Sequence, residues 1–303
     1  MSVPRQRVGV IGAGNIGGAI AANLVADGHR VSVYDVDPAR TAPLGRAGAV
    51  IADGAAAVAA ASDVTLASLP GPAAMEAVAR DWLAGAAAGA VFVDLTTNAP
   101  ATVRAVGDRL GAAGRHLLEA PLTGGAVGAQ ARMLLFMVGG DAAVYERCAP
   151  LLRSLGRGVF HVGALGLGNT AKLVNSLLAF AATWVSLEGL AVAAKAGLDL
   201  RTMIDVVRAG GAGNFFTERM VEGINERGRP AQFALALAAK DAGLLLEVAR
   251  DAGVPVPAAE AIAGALRAAV DAGLGGRDFT DLVELAERRA GIALRLPPPR
   301  SQT

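Results

Sequence analysis

Lysine is the scarce residue of this 303-residue chain. Of its 28 basic residues only Lys172, Lys195 and Lys240 are lysines, and the remainder are arginines. Arginine keeps its proton at any pH a protein works in, whereas lysine releases one when its surroundings disfavour the charge. A lysine retained here is therefore a candidate acid/base group. Cysteine is nearly absent too. Cys148 stands alone, which excludes an intrachain disulfide and any multi-cysteine metal site. His29, His116 and His161 are scattered singly, and their spacing suggests no metal. Charged residues make up only 18% of the chain, with a net charge of +1. With no dense basic stretch or aromatic-interleaved basic patch, nucleic acid is not an expected partner. The start, Met1 to Arg7, lacks the apolar run of a signal peptide. The longest apolar run, Leu173 to Leu187, is shorter than a membrane span and contains Asn175 and Ser176. These features predict a cytoplasmic protein without a membrane partner.

What is abundant is apolar: 53% of residues are hydrophobic, enough in a chain of this length for two domains and a sizeable core. Arg7 to Ile11 reads as a short strand. It runs directly into Gly12-Ala13-Gly14-Asn15-Ile16-Gly17, then into an apolar helical pattern that stops near Gly28. A second strand, Arg30 to Tyr34, ends in Asp35. A strand, a G-x-G-x-x-G turn, a helix and a strand, with an acid roughly twenty residues beyond the glycines, predict a dinucleotide site. Gly12 permits the tight turn, Gly14 lets backbone N–H groups approach a pyrophosphate, and Gly17 lets the helix pack on the sheet. Asp35 at the end of the second strand would accept the ribose hydroxyls and repel a phosphate. NAD is therefore favoured, although Arg40 close by leaves NADP possible. Asp37 caps a helix starting around Pro38.

The alternation continues with strands at Val64–Leu69, Ala90–Asp94, His116–Glu119, Met133–Val138 and Val159–Val162, and a helix over Asp141–Leu155. Each of the first three strands breaks at a loop just past its carboxyl end, where open α/β sheets bind ligands. The loops are Pro70-Gly71-Pro72, Leu95-Thr96-Thr97-Asn98-Ala99-Pro100 and Ala120-Pro121-Leu122-Thr123-Gly124-Gly125. Residues 1–164 are thus expected to form a doubly wound Rossmann-type α/β domain. From Gly168 to Gly197 the chain reads as one long, largely buried helix. Further helices are expected over Leu200–Ala209, Phe215–Glu222, Ala231–Ala252, Pro257–Ala272 and Phe279–Arg289. Residues 165–296 are expected to be an all-helical domain, and 297–303 a disordered tail. Lys172 and Asn175, three apart, share one face of the long helix. Its apolar sides require cover from its own domain or from a second subunit, so a homodimer or homotetramer is expected.

Five segments in this order resemble the β-hydroxyacid dehydrogenase family, which includes 3-hydroxyisobutyrate dehydrogenase and tartronate semialdehyde reductase. They are G-A-G-N-I-G at Gly12 to Gly17, D-L-T-T-N-A-P at Asp94 to Pro100, E-A-P-L-T-G-G at Glu119 to Gly125, G-L-G-N-T-A-K-L-V-N at Gly166 to Asn175, and Lys240-Asp241. The resemblance implies an NAD(P)-dependent oxidoreductase that interconverts a small β-hydroxyacid and its aldehyde or ketone. It implies Lys172 as the acid/base group, taking the hydroxyl proton as hydride leaves for the nicotinamide. Burial beside a positively charged nicotinamide would lower the lysine pKa toward that task, while a substrate carboxylate would push the other way. It also implies Thr123-Gly124-Gly125 as a carboxylate cradle, Asn175 as a partner of the reacting hydroxyl or the carboxylate, and Leu69, Pro70, Thr97 and Lys240 as cofactor contacts.

Each assignment has a plainer competitor. Asn175 can be satisfied by its own helix backbone, and Lys240 can simply pair with Asp241. Four departures from the family pattern stand out, one of them Asn175-Ser176 where many members have two asparagines. Thr123 replaces a commoner serine. Arg132-Met133 replaces a small pair, reading either as a solvated arginine or as a second cation near the substrate mouth. Gly210 to Phe215 replaces a Ser-Trp loop that closes over substrate. An imine reductase on the same architecture is a competing reading, opposed by Lys172 and Asp35. A non-catalytic dinucleotide-binding module is opposed by the retention of Lys172, Asn175 and the cradle.

Overall fold

The computed structural model describes residues 5–297. Two compact units divide the chain, the first ending at Lys172 and the second beginning at Leu173.

The first unit is a Rossmann-like sheet covered on both faces. Its elements are β1 (Arg7–Ile11), α1 (Asn15–Ala26), β2 (Arg30–Tyr34), α2 (Pro38–Arg46), β3 (Val50–Ile51), α3 (Ala55–Ala60), β4 (Val64–Ala67), α4 (Pro72–Gly85), β5 (Val91–Asp94), α5 (Pro100–Ala112) and β6 (His116–Glu119). After these come β7 (Leu122–Thr123), α6 (Gly125–Gln130), β8 (Leu134–Gly140), α7 (Ala142–Leu155) and β9 (Gly156–Gly163). Among the described residues the strand order is β3-β2-β1-β4-β5-β6-β8-β7, with β9 on β8. Strands β1 to β6 are parallel, so their carboxyl ends form one edge.

Near-continuous apolar runs suit strands buried on both faces. One core layer joins Val8, Val10, Val31 and Val33 to Ile20, Ala21 and Leu24 of α1. The other joins Ile11, Val58, Met75 and Ala79 to Trp82, whose ring meets Phe92 edge-on at 5.2 Å. The Trp82 indole N–H donates to Thr65 Oγ1 at 2.9 Å, so the buried polar end is satisfied. Cys148 lies buried on α7.

Some boundaries differ from expectation. Strand β4 ends two residues early, at Ala67, and the short edge strand β3 carries too little apolar pattern to be seen in sequence. Pairing of β8 with β6 and β7 is antiparallel. That reversal arises from the turn through Pro121 and the two left-handed glycines, Gly124 and Gly125, with φ of 127° and 63°.

The second unit is helical. Helix α8 (Leu167–Lys195) begins in the first unit and runs on into α9 (Leu200–Ala209), α10 (Leu235–Asp251), α11 (Pro257–Ala269) and α12 (Leu282–Ala290). Its core gathers Phe180, Trp184, Leu187, Ile204, Phe216, Leu266 and Phe279. The helix expected over Phe215–Glu222 is instead a wide π turn, Phe216–Met220, followed by a 3-10 turn, Val221–Asn225. The cause is local: Asn214 Oδ1 accepts from the Phe216 and Thr217 amides and loosens the first turn. Helix α10 starts four residues later than expected, because Gln232 and Leu235 bond instead to Asp278 and Arg277. The tail expected over 297–303 lies outside the described residues from 298 onward. Leu296 is buried, and the Pro297 carbonyl accepts from Arg201 at 2.7 Å, so the chain is held at least that far.

Helix α8 is less buried in this chain than its composition predicts. Leu167, Val174, Leu178, Val185 and Val192 form an exposed stripe at spacings of seven and four, with Leu178 66% and Val192 71% exposed. The most apolar 18-residue window of the helix has a mean hydropathy of 1.7. By length and composition alone that could cross a bilayer, which the run Leu173–Leu187 is too short to suggest. Core helices of soluble proteins meet the same measure, and Leu173, Phe180, Trp184, Leu187 and Leu190 of α8 are packed inside protein.

Candidate active site

The glycine turn between β1 and α1 is shaped as its spacing implies. Gly12 has φ +86°, and a Cβ there would lie 2.2 Å from the Ser68 carbonyl oxygen; one on Gly17 would lie 1.9 Å from that of Gly12. Neither position admits a side chain. At Gly14 a Cβ would meet only Arg40 Nη1, at 3.6 Å, so the open space lies outside the turn. No side chain caps α1, which leaves its first amides to an anion. A cavity of about 330 Å³ lined by Ala13, Gly14, Asn15 and Arg40 adjoins them. Uncapped amides, forced glycines and a guanidinium beside a cavity fit the phosphates of a dinucleotide.

Asp35 has a structural duty that sequence did not suggest. Its Oδ2 accepts from the Ala13 amide at 2.6 Å and its Oδ1 from the Asp37 amide at 2.9 Å, so it holds the glycine turn in place. Arg40 lies 3.4 Å from Asp37, which also caps α2 through the Ala39 amide. The loops after β4 and β5 are tied together, the Leu69 amide donating to Thr96 Oγ1 at 3.0 Å. Pro70 is exposed beside Leu69, and Thr97 is half-buried next to Thr96.

Beneath these loops two carboxylates sit side by side. Asp94 and Glu119 end adjacent strands in paired register, and both are fully buried. Burial pushes the Asp94 carboxyl up to about 7, against hydrogen bonds from Thr96 and Asn98 and with help from the Glu119 charge. Burial raises Glu119 also, opposed by the amides of Asn169, Gly168 and Gly166. Among the sequence segments these residues counted only as family pattern; adjacent strands ending in acids were the available signal.

Thr123 closes β7 opposite Leu135, and Gly124 and Gly125 open α6, the backbone turning through the left-handed region at both glycines. Lys172 is half-buried on α8, and Asn175 lies exposed nearly one turn on. In the second unit the Lys240 ammonium lies 3.0 Å from Asp241, whose side chain is 3% exposed. Arg132 is half-buried and bonded on both arms. Its guanidinium forks onto Asp27 at 2.6 and 2.9 Å and also donates to the Asn23 and Ser154 carbonyls. His29 accepts from the Gln6 amide, and His161 stacks on Tyr145.

Two family models cover nearly the whole chain. Residues 7–163 match the NAD binding domain of 6-phosphogluconate dehydrogenase. Residues 166–286 match the NAD-binding domain of NADP-dependent 3-hydroxyisobutyrate dehydrogenase. A 3-hydroxyisobutyrate dehydrogenase of Pseudomonas aeruginosa is 34% identical over 290 residues, covering 92% of this chain and 97% of the relative.

The chain belongs to the 3-hydroxyisobutyrate dehydrogenase family.

Two solved structures of similar fold extend that finding. The Mycobacterium tuberculosis 3-hydroxyisobutyrate dehydrogenase with L-serine superposes with a TM-score of 0.86 at 28% identity, over 92% of this chain and 98% of that one. Psf3 in complex with NADP+ and 2-OPP gives 0.82 at 26%, over 92% and 99%. As a member of this β-hydroxyacid dehydrogenase family, the chain is an NAD(P)-dependent oxidoreductase of small hydroxyacids.

Proposed function

We propose that the chain oxidises a small β-hydroxyacid of the 3-hydroxyisobutyrate kind with NAD, using Lys172 as the acid/base group. The observation that carries this reading is a half-buried lysine on the opening turns of α8, in a chain with two other lysines. Lys172 follows the segment whose amides are bonded at the carboxyl end of the sheet. When bound, the cofactor supplies a hydride acceptor at its nicotinamide ring. Lys172 Nζ takes the hydroxyl proton as the carbon–oxygen double bond forms, and returns a proton to the forming alkoxide in the reverse direction. The Thr123 hydroxyl with the Gly124 and Gly125 amides holds the substrate carboxylate, and Asn175 orients the substrate from the lysine's helix face. Gly12 to Gly17, with Ala13, Asn15 and Ile16 between the glycines, take the pyrophosphate. Asp35 takes the adenosine ribose, Leu69, Pro70 and Thr97 border the nicotinamide half, and Lys240 contributes a second cation to the cofactor. Asp35 supports NAD; Arg40, exposed and only 3.4 Å from Asp37, supports some use of NADP.

The same reading makes the enzyme a cytoplasmic homodimer or homotetramer, supported by the exposed stripe on α8 and a lone, buried cysteine. The test is a panel of 3-hydroxyisobutyrate, L-serine, D-glycerate and 4-hydroxybutyrate, each with NAD and NADP, followed by absorbance of the reduced nicotinamide. Lys172→Ala is expected to cut turnover by about 10²- to 10⁴-fold while dinucleotide affinity stays near wild type. Near-normal turnover in that variant would sink the mechanism.

A further inference from the structure

Glu119 is a carboxyl group buried completely, a costly place for one, and the proposed chemistry does not use it. Its four hydrogen-bond donors come from one place, the start of α8. The Gly166 amide, the Gly168 amide (3.0 Å) and the Asn169 amide (3.0 Å) all donate to it, as does Asn169 Nδ2 at 2.6 Å. These include backbone groups that a helix N-terminus leaves without intrahelical partners, met here by the two oxygens of the Glu119 carboxyl group. The backbone around the carboxylate is cut to admit it. A Cβ on Gly139 would lie 2.3 Å from Glu119 Oε1, and one on Gly168 would lie 2.9 Å from Glu119 Cγ and 2.6 Å from the Met137 carbonyl oxygen.

The anchor continues sideways. Asn169 Oδ1 accepts from the Asn98 amide at 2.7 Å, and Asn98 Nδ2 donates to Asp94 Oδ2 at 2.6 Å. Asp94 Oδ1 accepts from the Thr96 amide, and Thr96 Oγ1 from the Leu69 amide. One unbroken run of hydrogen bonds therefore links the loops after β4 and β5 to the first turn of α8. Lys172 stands three residues beyond Asn169, on the same face of the same helix.

We propose that Glu119 is a positioning residue: by gripping the first turn of α8 it fixes the rotation and height at which Lys172 is presented to the sheet edge. The proposal rests on the reading of Lys172 as the acid/base group. One residue of slip along a helix turns a side chain by about 100° and moves it about 1.5 Å. A misplacement of about 1 Å in a reacting group can cost on the order of 10²-fold in rate. A carboxylate serving stability alone would leave turnover unchanged when replaced; a positioning carboxylate would not.

The experiment compares Glu119→Gln, Glu119→Asp and Asn169→Ala with wild type by two readouts. The first is amide hydrogen exchange of the peptide 166–175, which needs no substrate. The second is steady-state kinetics with NAD and whichever acid of the panel wild type oxidises fastest. In Glu119→Gln an amide NH2 confronts the Asn169 donor. Exchange over 166–175 is expected to rise about tenfold, with kcat falling about 10- to 100-fold and KM moving less than about threefold. Glu119→Asp keeps the charge and recovers part of the loss. Asn169→Ala leaves the backbone donors in place and gives a smaller loss of the same kind, which serves should Glu119→Gln not fold. On a Lys172→Ala background, Glu119→Gln should add nothing further. Unchanged exchange, unchanged kcat, or a full additional loss on that background would overturn the proposal. Full activity in Lys172→Ala alone would overturn the lysine reading instead, a result distinct from an inactive Lys172→Ala with a fully active Glu119→Gln.

Discussion

Asp94 shows how a single residue can couple this fold to pH. Its carboxyl titrates near 7 in the folded chain, against an ordinary value of 3.8, mainly because it is buried. Below the ordinary value both folded and unfolded chains hold the proton, and the group costs nothing. Between that value and about 7 the unfolded chain releases a proton that the folded chain keeps, so stability falls as pH rises through this window. Asp94→Asn removes that slope. The Asn98 Oδ1, buried without a partner, can turn toward the new amide, so the substitution is tolerated. The melting temperature of Asp94→Asn relative to wild type is expected to climb by several degrees between pH 5 and 8. A constant difference across that range would contradict the assignment. Residues of this type were hidden in sequence. The glycines of the Gly12–Gly17 turn could be read because sterics restrict such positions to one residue. A buried acid at a strand end looks like any exposed one until the neighbouring strand and helix are in place.

Element by element, helices and strands with strong periodicity fell where sequence placed them, and irregular segments did not. The start of α10 was misread because Asp278, distant in sequence, captures backbone groups of the segment before it. Arg132 is a comparable case. It lies in the left-handed region, φ +58°, the only non-glycine residue there among those described. It staples the end of α1, through Asp27 and Asn23, and the last turn of α7, through Ser154, to the turn before β8. The local sequence offered a cation near a strand end; only the tertiary structure supplies its carboxylate. Replacing it removes charge-assisted bonds worth about 1 to 3 kcal/mol. A glycine would recover about 1 kcal/mol by relieving the backbone. Urea unfolding should therefore rank wild type above Arg132→Gly, and Arg132→Gly above Arg132→Ala, with kcat unchanged in both variants. A large loss of kcat at normal stability would instead favour the substrate-mouth role.

For the whole molecule, the parallel sheet and its helical successor were legible because element order alone constrains an alternating β/α chain to few topologies. The reversal at β7 and β8 was not, since it depends on backbone conformation at Gly124 and Gly125. Nor was the exposure along α8, because composition reports an apolar helix without saying what covers each side. The stripe from Leu167 to Val192 repeats at coiled-coil spacing, the pattern of a helix that packs against another. Sedimentation of the wild type is expected to give a dimer or tetramer. Leu178→Asp, placing a charge at the middle of the stripe, should shift it at least tenfold toward monomer at equal concentration. A monomeric wild type, or an unaffected variant, would move the association surface elsewhere.

The solitary Cys148 has a practical consequence. Held within α7 and pushed up to about 11 by burial, its thiol stays protonated at neutral pH. The natural chain is thus nearly silent toward alkylating and disulfide-forming reagents. A cysteine engineered at any exposed position would be the one reactive thiol in the molecule. Spectroscopic labels could be attached singly to α8 or its loops without first removing a native residue.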